Sequence, residues 1–387
     1  MGRFSSLKGR AFALLMMLWF LWFINFSVRV VFPPIMPLME DEFIISHVKA
    51  SSLFALTSFG YGVSLLLSGF FAGLFGYKRS IILSLVISTC VLFSIPFVKL
   101  FSYLSISAFI IGFSTGIYLP AIIPLITNYF DEKIWGKTIA IHDTAASVSI
   151  FSMPFIVLFF LKFLEWREIF YIFGGVFILC IILFYLFSNE VRVEKTHENL
   201  FVNLVKEKPL WIMSIIWMFS TGANFGVYSI IPLYLTKELG IEMGYANKVF
   251  GLSRLGGVLV AIMTGFIVDR FSLKKTLFSM MLTTGFLTII IAHKDVRLIQ
   301  IILFFQAAFA SGFFPVGLVA ISRIFRSEQR SMATGFIVTA SVIFGGGIVP
   351  YGLGLTGDLI SFRLGIFLLG ILVIIASTFT FLLKSLK

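Results

Sequence analysis

Twelve apolar runs follow one another along this chain, each near or above the ~20 residues an α-helix needs to cross the hydrocarbon core of a bilayer, with short polar breaks between them. They occupy residues 11–39, 49–73, 80–100, 103–130, 137–163, 166–188, 209–236, 245–271, 274–293, 296–324, 330–355 and 362–384. Lipid offers backbone amides no partner, so a spanning segment must be a helix or a strand of a closed barrel. Barrel strands alternate apolar and polar residues, and these runs do not. With 59% hydrophobic and 12% charged residues and a mean hydropathy of +1.04, the chain reads as an all-α integral membrane protein of twelve transmembrane helices.

The breaks orient it. With both termini cytoplasmic, 19 of the 30 Lys and Arg residues fall on the cytoplasmic side and nine on the other, while Arg29 and Arg254 lie inside spans. The positive-inside rule selects that arrangement. The formal net charge of +12 is then a topology signal, and no nucleic-acid partner is called for. Compact loops point to a prokaryotic inner or plasma membrane. Cys90 and Cys180 both fall in spans and read as packing residues, and no cofactor motif or metal spacing is present. The chain lacks Walker A, Rossmann, H-E-x-x-H and G-x-S-x-G patterns, which argues against ATP-driven transport and hydrolase chemistry.

An internal repeat divides the chain. At an offset of about 196 residues LFALTSFGYG (53–62) meets VFGLSRLGGV (249–258), GFFAGLFGYKR (69–79) meets GFIVDRFSLKK (265–275), and EWREIF meets SFRLGIF with Arg167 over Arg363. At an offset of 199, NFSVRVVFP (25–33) meets NFGVYSIIP (224–232). The expected organisation is two pseudo-symmetric six-helix bundles, residues 1–188 and 209–387, joined by a polar cytoplasmic linker at 189–208. Six spans per half give both halves one orientation, which predicts a binding site at their interface near mid-membrane.

The glycine-basic loops at 69–79 and 265–275 resemble those of the major facilitator superfamily, whose pattern is G-x-x-x-D-[RK]-x-G-[RK]-[RK]. The second copy keeps Gly265, Asp269, Arg270, Lys274 and Lys275; the first keeps Gly69, Gly76, Lys78 and Arg79 but has Gly73 and Leu74 where the family has an acid and a base. The resemblance implies a secondary transporter working by alternating access, with Gly69, Gly265, Asp269, Arg270 and Lys274 in conformational gating. Asp269 is placed to pair with Arg323 or Arg326. The same basic residues also serve as topology determinants.

Arg29 lies 18 residues beyond Ala11, about 27 Å along a helix, and Arg254 lies 15 residues before Asp269, about 22 Å along its own. A guanidinium in hydrocarbon costs at least about 2.5 kcal/mol, so each is expected to face a polar interior. Trp22, Asn25 and Arg29 share a face, as do Ser220, Asn224 and Tyr228, while Ser58 is the repeat mate of Arg254 with Tyr61 close by. Two arginines without acidic partners in the spans point to an anionic ligand held by Arg29, Arg254, Asn25, Asn224, Tyr228, Ser58, Tyr61, Tyr118 and Gln306. The alternative for Arg29 is snorkelling to the outer interface or bonding carbonyls released near Pro33 and Pro34. Among family members, an arginine on span 8 with a cation on span 1 or 11 resembles the oxalate and monocarboxylate carriers, whereas cations on spans 1 and 7 would resemble the organophosphate carriers.

Asp143 is the acid inside a span, and with His142 it is the proton-coupling candidate, since arginine releases no proton at physiological pH. A structural Asp–His pair is the competing reading. The predicted function is therefore transport of a small organic anion, a carboxylate or organophosphate, with protons or a counter-anion as coupling partner. Proton-coupled efflux of hydrophobic drugs or lipids is the alternative; Met153-Pro154 without a glycine weakens it, because the family's antiporters carry a G-P motif on span 5. A non-transporting membrane receptor is a third reading, and the absence of a sizeable soluble domain argues against it.

Overall fold

The computed structural model describes residues 4–191, 203–270, 272–293, 296–384 and 386, and the side chains of residues 261–270, 296, 297 and 327 lie outside that description. Twelve long helices follow the twelve apolar runs: α1 (Arg10–Phe43), α2 (His47–Phe75), α3 (Tyr77–Phe97), α4 (Phe101–Tyr129), α5 (Glu132–Phe160), α6 (Glu168–Phe187), α7 (Lys208–Glu238), α8 (Met243–Arg270), α9 (Leu273–Ile291), α10 (Val296–Ile324), α11 (Glu328–Leu359) and α12 (Phe362–Leu382). Eleven are long and apolar enough to cross a membrane among the described residues, and the 28-residue α8 coincides with the remaining predicted span. Among the described residues the one strand-like feature is an isolated bridge between Phe4 and Phe130.

Local breaks follow from side chains. α1 is interrupted at Val31, because Pro33 and Pro34 carry no N–H for the carbonyls of Arg29 and Val30 four residues back. The turn between α1 and α2 is short, and Ile44 takes it with φ 50°. α7 widens into π-helical turns at Gly222–Gly226 and Tyr234–Glu238, and α11 does so at Val342–Ile348. Such turns leave carbonyls without their usual donors and collect at functional sites.

The helices pack as two units, residues 1–32 with 56–196 and residues 33–55 with 197–387. In the first, α2 and α4 approach through glycines. A Cβ on Gly60 would lie 2.2 Å from the Phe109 carbonyl oxygen, and one on Gly112 would lie 1.9 Å from that of Thr57. In the second, a Cβ on Gly256 would lie 2.5 Å from the Phe304 carbonyl oxygen, so α8 meets α10 as α2 meets α4. The repeat pair Gly60 and Gly256 therefore performs one packing task twice.

The second unit also holds residues 33–55. Asp358 on α11 accepts the backbone N–H groups of His47 and Val48 at 2.8 and 2.9 Å, capping α2 from outside its own sequence. Glu40 meets His47 at 2.8 Å, and Lys237 bridges to Asp41. Arg363 pairs with Glu238 at 2.6 Å. The expected linker at 189–208 falls largely on residues 192–202, outside the described residues.

Candidate functional site

In the first unit, α1 carries Trp22, Asn25 and Arg29 on one face, as the i, i+3, i+7 spacing requires. All three are buried. The Arg29 guanidinium lies over the Tyr61 ring at 3.5 Å and over the Phe26 ring at 4.6 Å. Its Nε makes no hydrogen bond among the described residues, and neither does either side-chain polar atom of Asn25. Ser58 is buried near Tyr61 on α2. Buried polar atoms are normally paired, so a cluster of three such atoms along one helix face is what a site for a polar ligand presents.

Beside this cluster Trp22 stacks on Tyr118 at 5.3 Å, and His142 lies nearly parallel to both rings at 6.0 and 6.1 Å. The Tyr118 hydroxyl donates to the Leu18 carbonyl at 3.1 Å, so the His142 Nε2–H is the donor of the 3.2 Å contact between them. The other ring nitrogen of His142, Nδ1, makes no hydrogen bond among the described residues. Tyr118 and His142 thus stand behind Trp22 as supports. Asp143, next on α5, keeps an accessible surface while interacting with Trp22 and Tyr61.

In the second unit the corresponding cluster is built on the first widened turn of α7. Arg254 is 3% exposed; its Nη1 donates to Asn224 Oδ1 at 3.3 Å, and its guanidinium lies over the Tyr228 ring at 4.9 Å and the Phe250 ring at 5.6 Å. Nε and Nη2 make no hydrogen bond among the described residues. Asn224 sits inside the turn Gly222–Gly226 and its Nδ2 reaches Ser311 at 3.5 Å. Gln306 donates to the carbonyl of Ala223 at 2.8 Å and to Thr288 Oγ1 at 3.2 Å, so it satisfies a backbone group in the widened turn.

Among the described residues neither arginine has a carboxylate within ion-pair distance. Each unit thus holds a guanidinium fixed by aromatic rings, with Nε unspent on Arg29 and both Nε and Nη2 unspent on Arg254, the latter suited to a planar anionic group accepting two parallel hydrogen bonds.

The sequence matches the Major Facilitator Superfamily over residues 18–292 and 213–386, two overlapping stretches that together take in nearly all of it. The chain belongs to that family. It is therefore a membrane transporter of the superfamily.

A TsgA homolog from Buchnera aphidicola subsp. Baizongia pistaciae is 20% identical over 79% of this chain and 78% of its own length. An MFS-type efflux pump of Mycolicibacterium smegmatis is 24% identical over 54% of this chain, which spans about half of that relative. Among solved structures, a bacterial homolog of the human lysosomal transporter Spinster superposes with a TM-score of 0.81 at 14% identity, covering 97% of this chain and 98% of that one. A D-xylose–proton symporter gives 0.81 at 17% identity over 96% and 97%. At these identities the structural likeness speaks for the superfamily fold alone.

The superfamily's loop residues are placed unevenly. Gly69 is exposed, and a Cβ there would meet nothing within 4 Å, so it marks no close helix approach. Gly76 ends α2 with φ 80°. Lys78 donates its backbone N–H to Glu190 at 3.0 Å and its ammonium to the carbonyls of Tyr185 and Ser188 at 2.9 and 2.6 Å. An acid from beyond α6 thus occupies the start of α3 in the half where Gly73 replaces the superfamily's aspartate, a partner hidden from sequence because Glu190 reads as linker. The side chains of Gly265, Asp269 and Arg270 lie outside the described residues, and Lys274 is half-buried on α9. The glycine run of α11, Gly345–Gly347, also escaped sequence reading. A Cβ on Gly345 would lie 2.5 Å from the Gly222 nitrogen, which makes this run the support of the turn bearing Asn224.

Proposed function

We propose that this superfamily transporter carries a small organic anion, a carboxylate or organophosphate, by alternating access, with Arg29 and Arg254 as the recognising cations. The observation that carries the reading is that both buried guanidiniums rest on tyrosine rings, keep at least one N–H unspent (Nε of Arg29, Nε and Nη2 of Arg254) and lack an acidic partner among the described residues. Guanidinium matches carboxylate and phosphate oxygens bidentately and stays charged at any physiological pH. Asn25, Ser58 and Tyr61 would complete the contacts of the first cluster, and Asn224 and Tyr228 those of the second. Tyr118 and Gln306 act by holding neighbouring groups in place.

In this reading the transport halves are residues 1–188 and 209–387 and both termini are cytoplasmic, as the repeat and the distribution of lysine and arginine support.

The test is uptake of radiolabelled oxalate, lactate and glycerol 3-phosphate into proteoliposomes holding the full chain, alongside ligand-induced thermal stabilisation. Saturable uptake of one of them, lost in Arg29→Gln and in Arg254→Gln while both variants stay folded, is expected. Stabilisation by lipophilic cations with no anion response overturns the reading. It would favour the second one, proton-coupled efflux, which rests on the likeness to an efflux pump and on the accessible Asp143 carboxylate.

A further inference from the structure

A separate cavity of about 290 Å³ lies in the first unit, where the start of α1 meets the ends of α4 and α6. Its apolar lining includes Leu14 and Met17 of α1 and Leu183 and Phe187 of α6, while its polar members are Arg10, Tyr129 and Asn189. The polar residues stand at or just beyond helix ends, and Leu14, Met17 and Leu183 lie one to two turns inward. Arg10, Leu14 and Met17 share a face of α1 at i, i+4 and i+7.

The walls are fixed by specific bonds. Phe4 donates its N–H to the Tyr129 carbonyl and accepts the Asp131 N–H, both at 2.9 Å, and its ring packs on Phe130 at 5.9 Å. The Tyr129 hydroxyl donates to the Asn189 carbonyl and accepts the Asn189 N–H, both at 2.8 Å. The N-terminal strap and the ends of α4 and α6 thus form one rim. Arg10 is exposed and makes no hydrogen bond or ion pair among the described residues. Of the acids nearest in sequence to the other polar lining residues Tyr129 and Asn189, Asp131 accepts the Lys133 N–H and Glu190 the Lys78 N–H.

We propose that this cavity binds an anionic glycerophospholipid of the cytoplasmic leaflet, one acyl chain lying along Leu14, Met17 and Leu183 and the phosphate meeting Arg10. An apolar trough ending in one unpaired guanidinium complements an amphiphile with a negative head. Basic pockets between transmembrane helices on the cytoplasmic side are where such headgroups are held. The site shares no residue with the Arg29 and Arg254 clusters, so it stands independently of which substrate is carried.

The test is native mass spectrometry of the detergent-solubilised full chain titrated with phosphatidylglycerol and phosphatidylcholine of identical acyl chains. One phosphatidylglycerol is expected to be retained about fivefold more tightly than phosphatidylcholine, the ratio one basic residue near an anionic headgroup supplies. Arg10→Gln should bring the two lipids level, and Leu183→Trp should expel both by filling the trough; Met17→Trp serves the same purpose if the first variant does not fold. Equal retention of the two lipids by the wild type, or an unchanged preference in Arg10→Gln, overturns the proposal. Displacement of the bound phosphatidylglycerol by glycerol 3-phosphate at equal concentration would make this a free-phosphate site, and displacement by oleate would make the headgroup irrelevant; either result also overturns it.

Discussion

The guanidinium of Arg29 lies 3.5 Å over the ring of Tyr61, and the same kind of pair recurs in the second unit with Arg254 over Tyr228 at 4.9 Å. Its members are exchanged between helices. α1 supplies the cation and α2 the ring in the first unit, whereas α7 supplies the ring and α8 the cation in the second. The repeat aligns Arg29 with Tyr228 and Ser58 with Arg254, so the two halves hold the same cation–ring unit with the charge on different helices. A ring face lowers the cost of a buried cation without a carboxylate, and it leaves the Nε of Arg29 and the Nε and Nη2 of Arg254 without a hydrogen bond among the described residues.

Tyr61→Phe keeps that ring face and is expected to leave the KM for anion uptake within about threefold of wild type, while Tyr61→Leu removes an attraction of about 0.5–2 kcal/mol and should raise it about 2- to 30-fold. Concentration-dependent uptake into proteoliposomes measures both. Equal behaviour of the two variants would mean that the ring of Tyr61 does not matter, and a loss shared by both would assign its role to the hydroxyl.

The glycines separate packing from gating. Gly112→Ala would drive a Cβ to 1.9 Å from a backbone carbonyl, so it should lower the melting temperature by an amount corresponding to about 1–3 kcal/mol of overpacking. Gly69→Ala meets nothing within 4 Å and should melt with the wild type. Thermal unfolding in detergent compares them, and a Gly69→Ala variant with normal stability but slowed uptake would locate its role in the conformational cycle.

Which parts of this were legible in the sequence depends on the range of the interactions. The spans were, because bilayer thickness imposes a length on each apolar run, and α1 through α12 follow the predicted runs within a few residues at most ends. The face shared by Trp22, Asn25 and Arg29 was also legible, since helical periodicity alone sets it. The widened turn at Gly222–Gly226 was not, for its stability comes from Gly345 packing on Gly222 and from Gln306 reaching the Ala223 carbonyl across 83 residues of chain. Nor was Glu190 at the start of α3, a contact 112 residues long in sequence. Gln306 and Tyr118 read as lining residues because they are polar in apolar spans; their hydrogen bonds to backbone carbonyls show the other way such residues are satisfied.

Asp358 caps α2 through two backbone N–H groups, so Asp358→Ala should destabilise the protein by about 1 kcal/mol, the usual worth of a helix cap, and Asp358→Asn by less because one acceptor oxygen survives. The melting temperatures of the two variants give the order. If Asp358→Ala melts with the wild type, water replaces the cap at no cost.

Proton coupling, where it exists, has few carriers to choose from. Arg29 and Arg254 stay charged, and His142 is wholly buried against Trp22 and Tyr118 with its Nε2 engaged. Asp143 combines an accessible surface with interaction with Trp22 and Tyr61, one residue removed from Arg29, so protonating it would change the charge balance next to that guanidinium. Asp143→Asn should therefore abolish uptake driven by an inward proton gradient while leaving anion exchange across the membrane, which needs no net proton movement, within about threefold of wild type. Proteoliposome assays run with and without an imposed gradient read the two activities separately. Loss of both in a folded variant would make Asp143 part of the binding or packing structure, and retention of gradient-driven uptake would move proton coupling to the substrate itself.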